Sequence, residues 1–549
     1  MIMKKLTKSI IAAAVVAGSL CAVSCKKALE EKVYSFISPN NFYKNGSDAV
    51  VAVNGIYSEL YTYDLYIQPF WNLTLLDDDH VSGADWYLGS AGAGNPNNYW
   101  GVEKPWSGLY IIIARANTVL ENVPGINTDI TPELKNRVLG EAYFLRGWAY
   151  FHLVQLYGGV PLRLKTLGAE PQTNTPRASV AEVYNAVISD LKQAETLLYP
   201  ANDTRSGEAG RVTRGVAMGY LAKVYATIGS ASLKGGNVAV YGGNDNQRLT
   251  YAKTVVAGYE DFDSKAYYKL AMDKAKELID SKQYDLFDNW KDIWNRANFN
   301  KREHMWEIQS LTGTSFINDL HAYFTAGSYP FGMGAVWMTN NHYKTYEEDK
   351  DTRALDGVSH QYVAFRQTNP GGTRYYYPSW EAAKYSKDAA GNVYNNDGKG
   401  DDKAFITKFS SVADETVSNS DMFFPVMRYS EILLLYAEAA NEAGTGPDAG
   451  AYQYLNAVRN RSHATDAPLG MSQEEFRSFV LEERGREFSL ENIRRYDLIR
   501  WGIYLPVMNA ITKGQNNISK VRNTRNLLLP IPVSEMNTNK AITQNNPGW

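Results

Sequence analysis

The most informative part of this 549-residue chain is EAYFLRGWAYFHLVQLYGG, residues 141–159. It belongs to a segment whose apolar residues recur every three or four positions, which places them on one face of an α-helix. That face consists of Leu134, Val138, Ala142, Leu145, Ala149, Leu153 and Leu156. Gly158, Gly159 and Pro161 come next and are typical of a helix end. The sequence therefore predicts one long helix over about residues 134–156.

Further helical patterns lie on both sides of this segment. A helix predicted over residues 106–123 precedes it, and we expect the two to form an antiparallel pair. Ser179 with Glu182, and Ser472 with Glu475, have the spacing of capping boxes that open two later helices. The remaining patterns predict helices over about residues 179–198, 213–228, 267–280, 430–442 and 449–461, and a final one beginning at Ser472. Repeated helix pairs of this kind predict a mainly α fold built from tetratricopeptide-like pairs.

Three long segments without sustained periodicity interrupt the helices. They cover residues 64–104, 230–262 and 309–425, and they are rich in Gly, Asn, Asp and aromatic residues. Loops of this length in a compact body are usually functional. We expect them to cover one side of the helical scaffold, with a few short strands, for example around residues 361–365 and 404–409.

The N-terminus has the pattern of an export signal. Three lysines within the first eight residues precede an apolar run over residues 10–23. That run is too short to span a bilayer but is typical of a secretory signal peptide. It ends in AVSC, residues 22–25, which resembles the lipobox of bacterial lipoproteins, where the cysteine is acylated. We therefore expect a signal peptide over residues 1–24, lipidation of Cys25 and a tether over residues 25–40; secretion with cleavage near Ala22 or Ser24 is the alternative.

Cysteine content and charge narrow the class of protein. Both cysteines of the chain lie within the first 25 residues, so the body after Cys25 has no thiol with which to form disulfides. Loss of residues 1–24 removes three lysines and changes the formal charge from −3 to about −6. This mild acidity argues against a nucleic-acid surface. No later stretch of the sequence is apolar enough to cross a membrane, so a lipid would be the only anchor.

Many charged residues lie on otherwise apolar helices. Charges in such positions must be paired when they are buried, and the guanidinium fork of arginine matches a carboxylate well. We therefore interpret them as interhelical ion pairs that stabilise the scaffold, rather than as catalytic groups. The set comprises Glu141, Arg146, Arg428, Glu431, Glu483, Arg484, Arg486, Glu487, Asp497 and Arg500.

An ordered series of motifs extends from the long helix to the C-terminus. The first is the stretch quoted above, which runs on to GVPL at residues 159–162. The others are RAS at 177–179, GRVT at 210–213, MRYSEIL at 427–433, YAEA at 436–439, NAVR at 456–459, ERGRE at 483–487, RYDLIRW at 495–501, LPIP at 529–532 and QNNPG at 544–548.

This series resembles the SusD/RagB family. The resemblance implies a lipid-anchored protein of the outer membrane of Bacteroidetes-type bacteria, facing the extracellular side. It also implies binding of oligosaccharides or polysaccharides, or in some members peptides, and their delivery to a SusC-like TonB-dependent transporter, without catalysis. The domain implied covers residues 41–549, with an N-terminal part over about 41–230 and a C-terminal part over about 265–549.

A first group of candidate ligand-binding residues lies in the early insertion. Sugar binding requires aromatic faces for the apolar side of a pyranose ring and carboxylate or amide groups for its hydroxyls. Trp86, Tyr99 and Trp100 are candidates for stacking. The candidates for hydrogen bonding are Asp79, Asp85 and Asn98.

A second group follows WEI, residues 306–308, which looks like a buried strand of the family. The loop beyond it is rich in aromatic residues and glycine. The resemblance implies that this region contributes an aromatic residue to the binding surface. Trp337 is the first choice and Tyr329 the second.

An enzyme is the less favoured interpretation. Asp77, Asp78, Asp79 and His80 invite comparison with a metal site or a glycosidase carboxylate pair, but consecutive residues cannot all face one reacting bond. The sequence contains no HExxH, GxSxG, Walker or Rossmann motif. We expect no catalytic residues, no catalytic metal and no cofactor.

Residues 392–402, NVYNNDGKGDD, have the composition of a calcium loop but lack EF-hand spacing. We expect a solvated turn there, with structural calcium as the alternative. For the whole chain, the favoured function is glycan binding. The alternatives are a peptide or glycopeptide receptor of the same transporter type and a structural helical-repeat adaptor without a ligand site.

Overall fold

A computed structural model describes residues 42–326, 333–363, 373–388, 390–393, 398–415, 417, 420–514 and 518–549. The predicted signal peptide, the tether and Cys25 lie outside these ranges, as does Tyr329. The predicted division into an N-terminal and a C-terminal part stays a prediction.

Helices account for most of the regular structure. Their bounds are α1 Gly46–Tyr57, α2 Pro69–Leu75, α3 Asp85–Leu88, α4 Lys104–Asn122, α5 Pro132–Tyr157, α6 Val180–Leu197, α7 Arg214–Ser232, α8 Ser264–Asp280, α9 Leu320–Phe324, α10 Asn340–Tyr343, α11 Thr352–Leu355, α12 Ala382–Tyr385, α13 Tyr429–Ala443, α14 Ala449–Arg461, α15 Gln473–Glu487, α16 Arg494–Arg500, α17 Tyr504–Asn509 and α18 Val533–Thr538.

The strands are short and form small sheets of two or three strands. Their bounds are β1 Val81–Gly83, β2 Asn237–Gly242, β3 Gln247–Ala252, β4 His304–Ile308, β5 Val336–Met338, β6 Gln361–Val363, β7 Arg374–Tyr376, β8 Lys399–Gly400 and β9 Phe424–Arg428. The sheets are β1–β5, β2–β3, β4–β9 and β6–β7–β8, and all pairs are antiparallel except β7–β8.

The long helix of the quoted stretch is α5. Thr131 accepts a hydrogen bond from the backbone N–H of Leu134 and caps the helix, with Pro132 in its first turn. Gly158, at φ 72°, ends it, because that backbone conformation costs a residue with a Cβ. From Val138 onward nearly all side chains of α5 are buried, and not only the predicted stripe. The helix is therefore central to the core rather than one-sided.

The longer helices pack one against the next along the chain. α4 and α6 both contact α5, α6 contacts α7, α7 contacts α8, α8 contacts α13, and α13 contacts α14. The predicted capping boxes at Ser179–Glu182 and Ser472–Glu475 are both present. The mainly α fold of successive helix pairs is confirmed.

The charged residues on these helices form ion pairs, as predicted. Arg428 donates hydrogen bonds to Glu303 at 2.7 Å, to Glu487 at 2.9 Å and to Glu491 at 2.8 Å. Burial raises the pKa of Glu487, but Arg461, Arg428 and Arg353 more than offset this and hold the pKa well below its usual range. All ten residues of the predicted set have an oppositely charged partner, although Arg486 pairs with Glu482 and Glu483 of its own helix and not across helices.

The insertions contain more order than the sequence suggested. β2 and β3, each six residues long, form a hairpin within the insertion over residues 230–262. Val238 and Val240 are buried, while the backbone N–H groups of Ala239 and Tyr241 bond to side chains of α15. The only hint in the sequence was the alternation of valines before a Gly-Asn-rich turn.

The strands expected in the third insertion are partly confirmed. β6 covers Gln361–Val363, whereas residues 364–365 lie outside the described ranges. Residues 404–409 form isolated bridges, at Ala404 and Ile406, rather than a strand. Among the described helices, none is both long and apolar enough to span a bilayer.

Candidate functional site

Buried charges hold the segment that leads to the candidate site. Asp77 accepts hydrogen bonds from Arg522 at 2.8 Å and from the Tyr504 hydroxyl at 2.6 Å. Asp79 forms a two-pronged ion pair with Arg494, at 2.8 and 2.7 Å. These contacts fasten the segment before β1 to the C-terminal part of the chain.

The predicted role of Asp79 in ligand binding does not fit this position. Its side chain is buried and both carboxylate oxygens are occupied by Arg494. The physical reason is that a buried carboxylate needs a cation. Asp79 therefore anchors the segment before β1 to Arg494.

β1 carries the chain from these charges to the surface. It pairs with β5 in the register Val81↔Met338 and Gly83↔Val336. A Cβ at Gly83 would lie 2.3 Å from the carbonyl oxygen of Ala335, so only glycine allows this close approach. The short helix α3 starts two residues later and presents Trp86 to solvent.

Three large aromatic side chains are exposed in the region around α3. Trp86 is 66% exposed, Trp100 is 60% exposed and Tyr63 is 49% exposed. Trp100 follows a 3-10 turn over Pro96–Asn98, and Tyr63 lies in the loop before α2. Exposed tryptophans in one area are the kind of apolar surface that marks a binding site.

Tyrosine rings join these exposed groups. Tyr87 stacks on Tyr323 with ring centroids 4.4 Å apart, and Trp86 lies 6.4 Å from Tyr323. Trp100 lies 6.4 Å from Tyr63 and 5.5 Å from Tyr99. We call this surface the aromatic platform and define it as Tyr63, Trp86, Tyr87, Tyr99, Trp100 and Tyr323.

Amide side chains connect the two halves of the platform. Asn72 on α2 accepts a hydrogen bond from the Tyr87 hydroxyl at 2.8 Å and donates one to the Tyr99 hydroxyl at 3.0 Å. Gln68 donates to the Tyr87 hydroxyl at 3.4 Å. Because these bonds orient the two tyrosines, the exposed tryptophans rest on a fixed support.

One carboxylate lies among these rings. Asp319 directly precedes α9 and is partly buried. Burial raises the pKa of Asp319 to about 6. Burial is the main reason why the pKa values of Tyr63, Tyr99 and Tyr323 are raised, and the negative charge of Asp319 raises them further. The platform therefore combines flat aromatic faces with a hydrogen-bond acceptor, which suits a sugar ring with its hydroxyls.

Some of the predicted binding residues are exposed on the platform and others are buried. Trp86 and Trp100 are exposed on the platform, and Asp85 and Asn98 are exposed in the same segments. Tyr99 is largely buried, with its hydroxyl bonded to Asn72, so it supports Trp100.

Trp337 has a different environment from the one expected of a stacking residue. It is 1% exposed, lies 5.6 Å from Phe405 and has the ammonium of Lys403 5.7 Å from its ring centroid. Strand β5 points this side chain into a small apolar cluster with Ala326, Tyr362 and Phe405. Neither ring face is open to a ligand here.

The sequence analysis did not select the aromatic residues Tyr63, Tyr87 and Tyr323 of this site. It also did not select the polar residues Gln68, Asn72 and Asp319. Tyr63 lies in YTYDLY, residues 61–66, where other tyrosines give no reason to prefer it. Asp319 is more than 250 residues from Tyr63 in sequence, and no spacing rule links them.

The segment considered for calcium is described only in part, since residues 394–397 lie outside the described ranges. Asp401 accepts a hydrogen bond from the Tyr362 hydroxyl, and Asp402 accepts one from Ser379 at 2.5 Å. Within the described part of the chain, no three His, Cys, Asp or Glu side chains are grouped so as to hold a metal ion.

Comparison with known proteins now adds to this geometry. A family model described as "SusD family" matches residues 259–549, and one described as "Starch-binding associating with outer membrane" matches residues 32–226. SusD-like protein P25 of Formosa agariphila is 27% identical over 566 aligned positions, covering 95% of each chain.

Solved structures agree on the fold. A SusD homolog from Bacteroides thetaiotaomicron superposes with a TM-score of 0.71 at 23% identity, over 93% of this chain and 98% of that one. A laminarin-binding SusD-like protein superposes with a TM-score of 0.66 at 20% identity, over 92% of this chain and 100% of that one. The first family model alone spans more than half of the sequence, and the resemblance of the helix motifs is thereby confirmed: this chain belongs to the SusD family.

Proposed function

We propose that this chain binds oligosaccharides or polysaccharides on the aromatic platform and does not cleave them. The observation that carries the proposal is the exposure of Trp86 and Trp100 on a hydrogen-bonded tyrosine support. Two large indole faces held open to water favour a ligand that is apolar on one side and polar at its edges. A glycan chain has this character along its length.

The family supports the same conclusion. One of its models is described as starch-binding, and one structural neighbour binds laminarin. Hydrolysis would require two carboxyl groups placed on either side of one glycosidic bond. Among the described residues, Asp319 precedes the helix that carries Tyr323 and Asp85 is exposed next to Trp86, and we assign neither of them a catalytic role.

We further propose that the chain is anchored through lipid on Cys25 to the outer membrane, on its extracellular side, and that it delivers glycan to a SusC-like TonB-dependent transporter. The lipobox-like AVSC at residues 22–25 supports the anchor. The description of the second family model, which refers to the outer membrane, supports the location. Stable attachment needs more than one acyl chain, which bacterial lipoprotein processing would supply.

Affinity gel electrophoresis of Trp86→Ala, Trp100→Ala and the double variant tests the binding site, with starch, laminarin and a broad glycan panel in the gel. Loss of one stacked ring should remove about 1 kcal/mol or more, so each single variant should bind at least about fivefold more weakly. Thermal stability should stay near that of the wild type, since both side chains are mostly exposed.

Trp380→Ala is the matched control. Trp380 is also partly exposed, at 44%, but it packs against Tyr343 and Tyr377 and not against the platform. Unchanged retardation of the double variant would refute this assignment of the site. If the wild type bound no glycan of the panel, a peptide or glycopeptide receptor, or a structural adaptor, would be favoured. Formation of shorter glycans during incubation would contradict the non-enzymatic role.

A further inference from the structure

Asp319 differs from the other buried or half-buried acids described above, because no cation in the described part of the chain neutralises it. Its carboxylate has no ion pair and no hydrogen bond among the residues that the structure describes, even though it occupies the N-cap position of α9. Burial is the one resolved cause of its raised pKa, and no cation offsets that effect. The contrast with Asp77 and Asp79, each paired with an arginine, is clear.

The backbone around Asp319 is firmly held. The side chain of Asn318 is buried and bonds to Ser310 at 2.9 Å and to the Ser420 hydroxyl at 3.1 Å. The backbones of Asn318 and Ser420 exchange two further hydrogen bonds, at 3.2 and 2.8 Å. Asp319 therefore has a fixed backbone, one helical turn before Tyr323 of the platform, whose N–H donates to the Asp319 carbonyl at 3.1 Å.

Two cations beside the segments of the platform have partners in the protein, Lys104 and Arg525, the latter donating a hydrogen bond to the side-chain oxygen of Asn95 at 3.1 Å. Lys104 pairs with Asp64 at 2.9 Å, which leaves that pair neutral overall. Asp85, beside Trp86, adds an exposed negative charge.

Building on the glycan-binding role proposed above, we infer that the platform selects uncharged glycans, with Asp319 accepting hydrogen bonds from ligand hydroxyls and repelling uronate or sulfate groups. A hydroxyl donor gives a partly buried carboxylate the partner that it lacks, and hydrogen bonds to a charged group are stronger than neutral ones. An anionic substituent instead places a second negative charge close to the first. At a separation of about 5 Å and an effective dielectric constant of 20 to 80, this repulsion weakens binding by roughly fourfold to more than a hundredfold.

Matched pairs of polysaccharides test the inference. Each pair has one backbone with and without anionic groups: starch and carboxymethyl-starch, laminarin and laminarin sulfate, dextran and dextran sulfate. We expect the neutral member of at least one pair to retard the wild type at pH 8. The affinity for its anionic partner should be at least about tenfold lower, and we call the quotient of the two affinities the selectivity ratio. Asp319→Asn should reduce that ratio at least fivefold, because the repulsion is removed while an amide acceptor remains.

Asp261→Asn serves as the control for net charge. Asp261 is exposed in the loop before α8 and belongs to no part of the platform, so its removal should leave the ratio as in the wild type. The ratio of the wild type should also fall between pH 8 and pH 5, since Asp319 becomes protonated in that range.

The outcomes separate the inference from the proposed function. Equal or stronger binding of the anionic members, abolished by Trp86→Ala, would overturn the selectivity and leave the glycan-binding platform in place. An unchanged ratio in Asp319→Asn would likewise overturn the role of this carboxylate. If no member of any pair retards the wild type, the glycan-binding function and the inference both fail.

Discussion

The ion pair between Arg146 and Asp190 provides a sharp test of how the scaffold is stabilised. Arg146 lies in the quoted stretch on α5 and Asp190 lies on α6; both side chains are buried. Arg146 donates two hydrogen bonds to Asp190, at 2.8 and 2.7 Å. Two more reach the side-chain oxygen of Asn117 at 2.7 Å and the carbonyl of Leu164 at 2.9 Å. One guanidinium therefore joins α4, α5, α6 and the loop that follows α5.

The expected cost follows from what each substitution leaves behind. Arg146→Met leaves Asp190 as a buried, unpaired charge, and such a loss costs about 3–5 kcal/mol. Asp190→Leu leaves Arg146 unpaired and should cost a similar amount. The double variant removes both charges, and we expect it to lie within about 2 kcal/mol of the wild type, because replacing a whole buried pair is often nearly neutral. The coupling free energy of the cycle should then exceed about 3 kcal/mol.

Urea unfolding, followed by far-ultraviolet circular dichroism and tryptophan fluorescence, measures these free energies. Lys269 and Asp273 on α8 form the matched exposed pair, at 2.9 Å. The same cycle on that pair should give a coupling below about 0.5 kcal/mol. If the Arg146 and Asp190 costs simply add, or if Arg146→Met costs less than about 1 kcal/mol, then burial does not control this pair and the reasoning fails.

Two further outcomes concern Asp319 and Cys25. Because the pKa of folded Asp319, at about 6, is above that of an unfolded aspartate, ionisation destabilises the folded state as pH rises from about 4 to 6. Asp319→Asn should therefore be more stable than the wild type at pH 8, by about 1–2 kcal/mol after allowance for partial exposure, and equally stable at pH 4; urea titrations showing no pH-dependent gap would contradict this. Cys25→Ala should move the protein from the membrane fraction to the soluble fraction, while glycan retardation in affinity gels stays unchanged; continued membrane attachment would argue against the lipid anchor.

Local patterns in the sequence were sufficient for eight of the long helices, but α1, Gly46–Tyr57, and the short helices were not predicted. Helix bounds depend on residues within a few positions of one another, such as Ser179 with Glu182 or Gly158 at the end of α5. The predicted bounds consequently agree with the structure to within a few residues. The pairing of the helix charges was also predictable, since a charge on a buried helix has no other low-energy state.

The binding surface was less predictable because its residues lie far apart in the sequence. Trp86 and Trp337 look equally suitable in the sequence, yet one is mostly exposed and the other is 1% exposed. Asp79 and Asp319 are both acids near aromatic residues, yet Arg494, 415 positions away, neutralises only the first. The β2–β3 hairpin depends similarly on α15, which shields its valines.

The sequence by itself therefore determined most of the scaffold: eight of its long helices, two capping boxes, the charges that must be paired, and the family. Periodicity and capping depend on residues that are close together in the sequence, within the helix or next to its ends. The tertiary structure alone decided which rings face water and which carboxylate is left without a cation. Exposure and charge compensation depend on residues that are far apart in the sequence. Tyr63 and Asp319, for example, influence each other electrostatically only after the helices have packed.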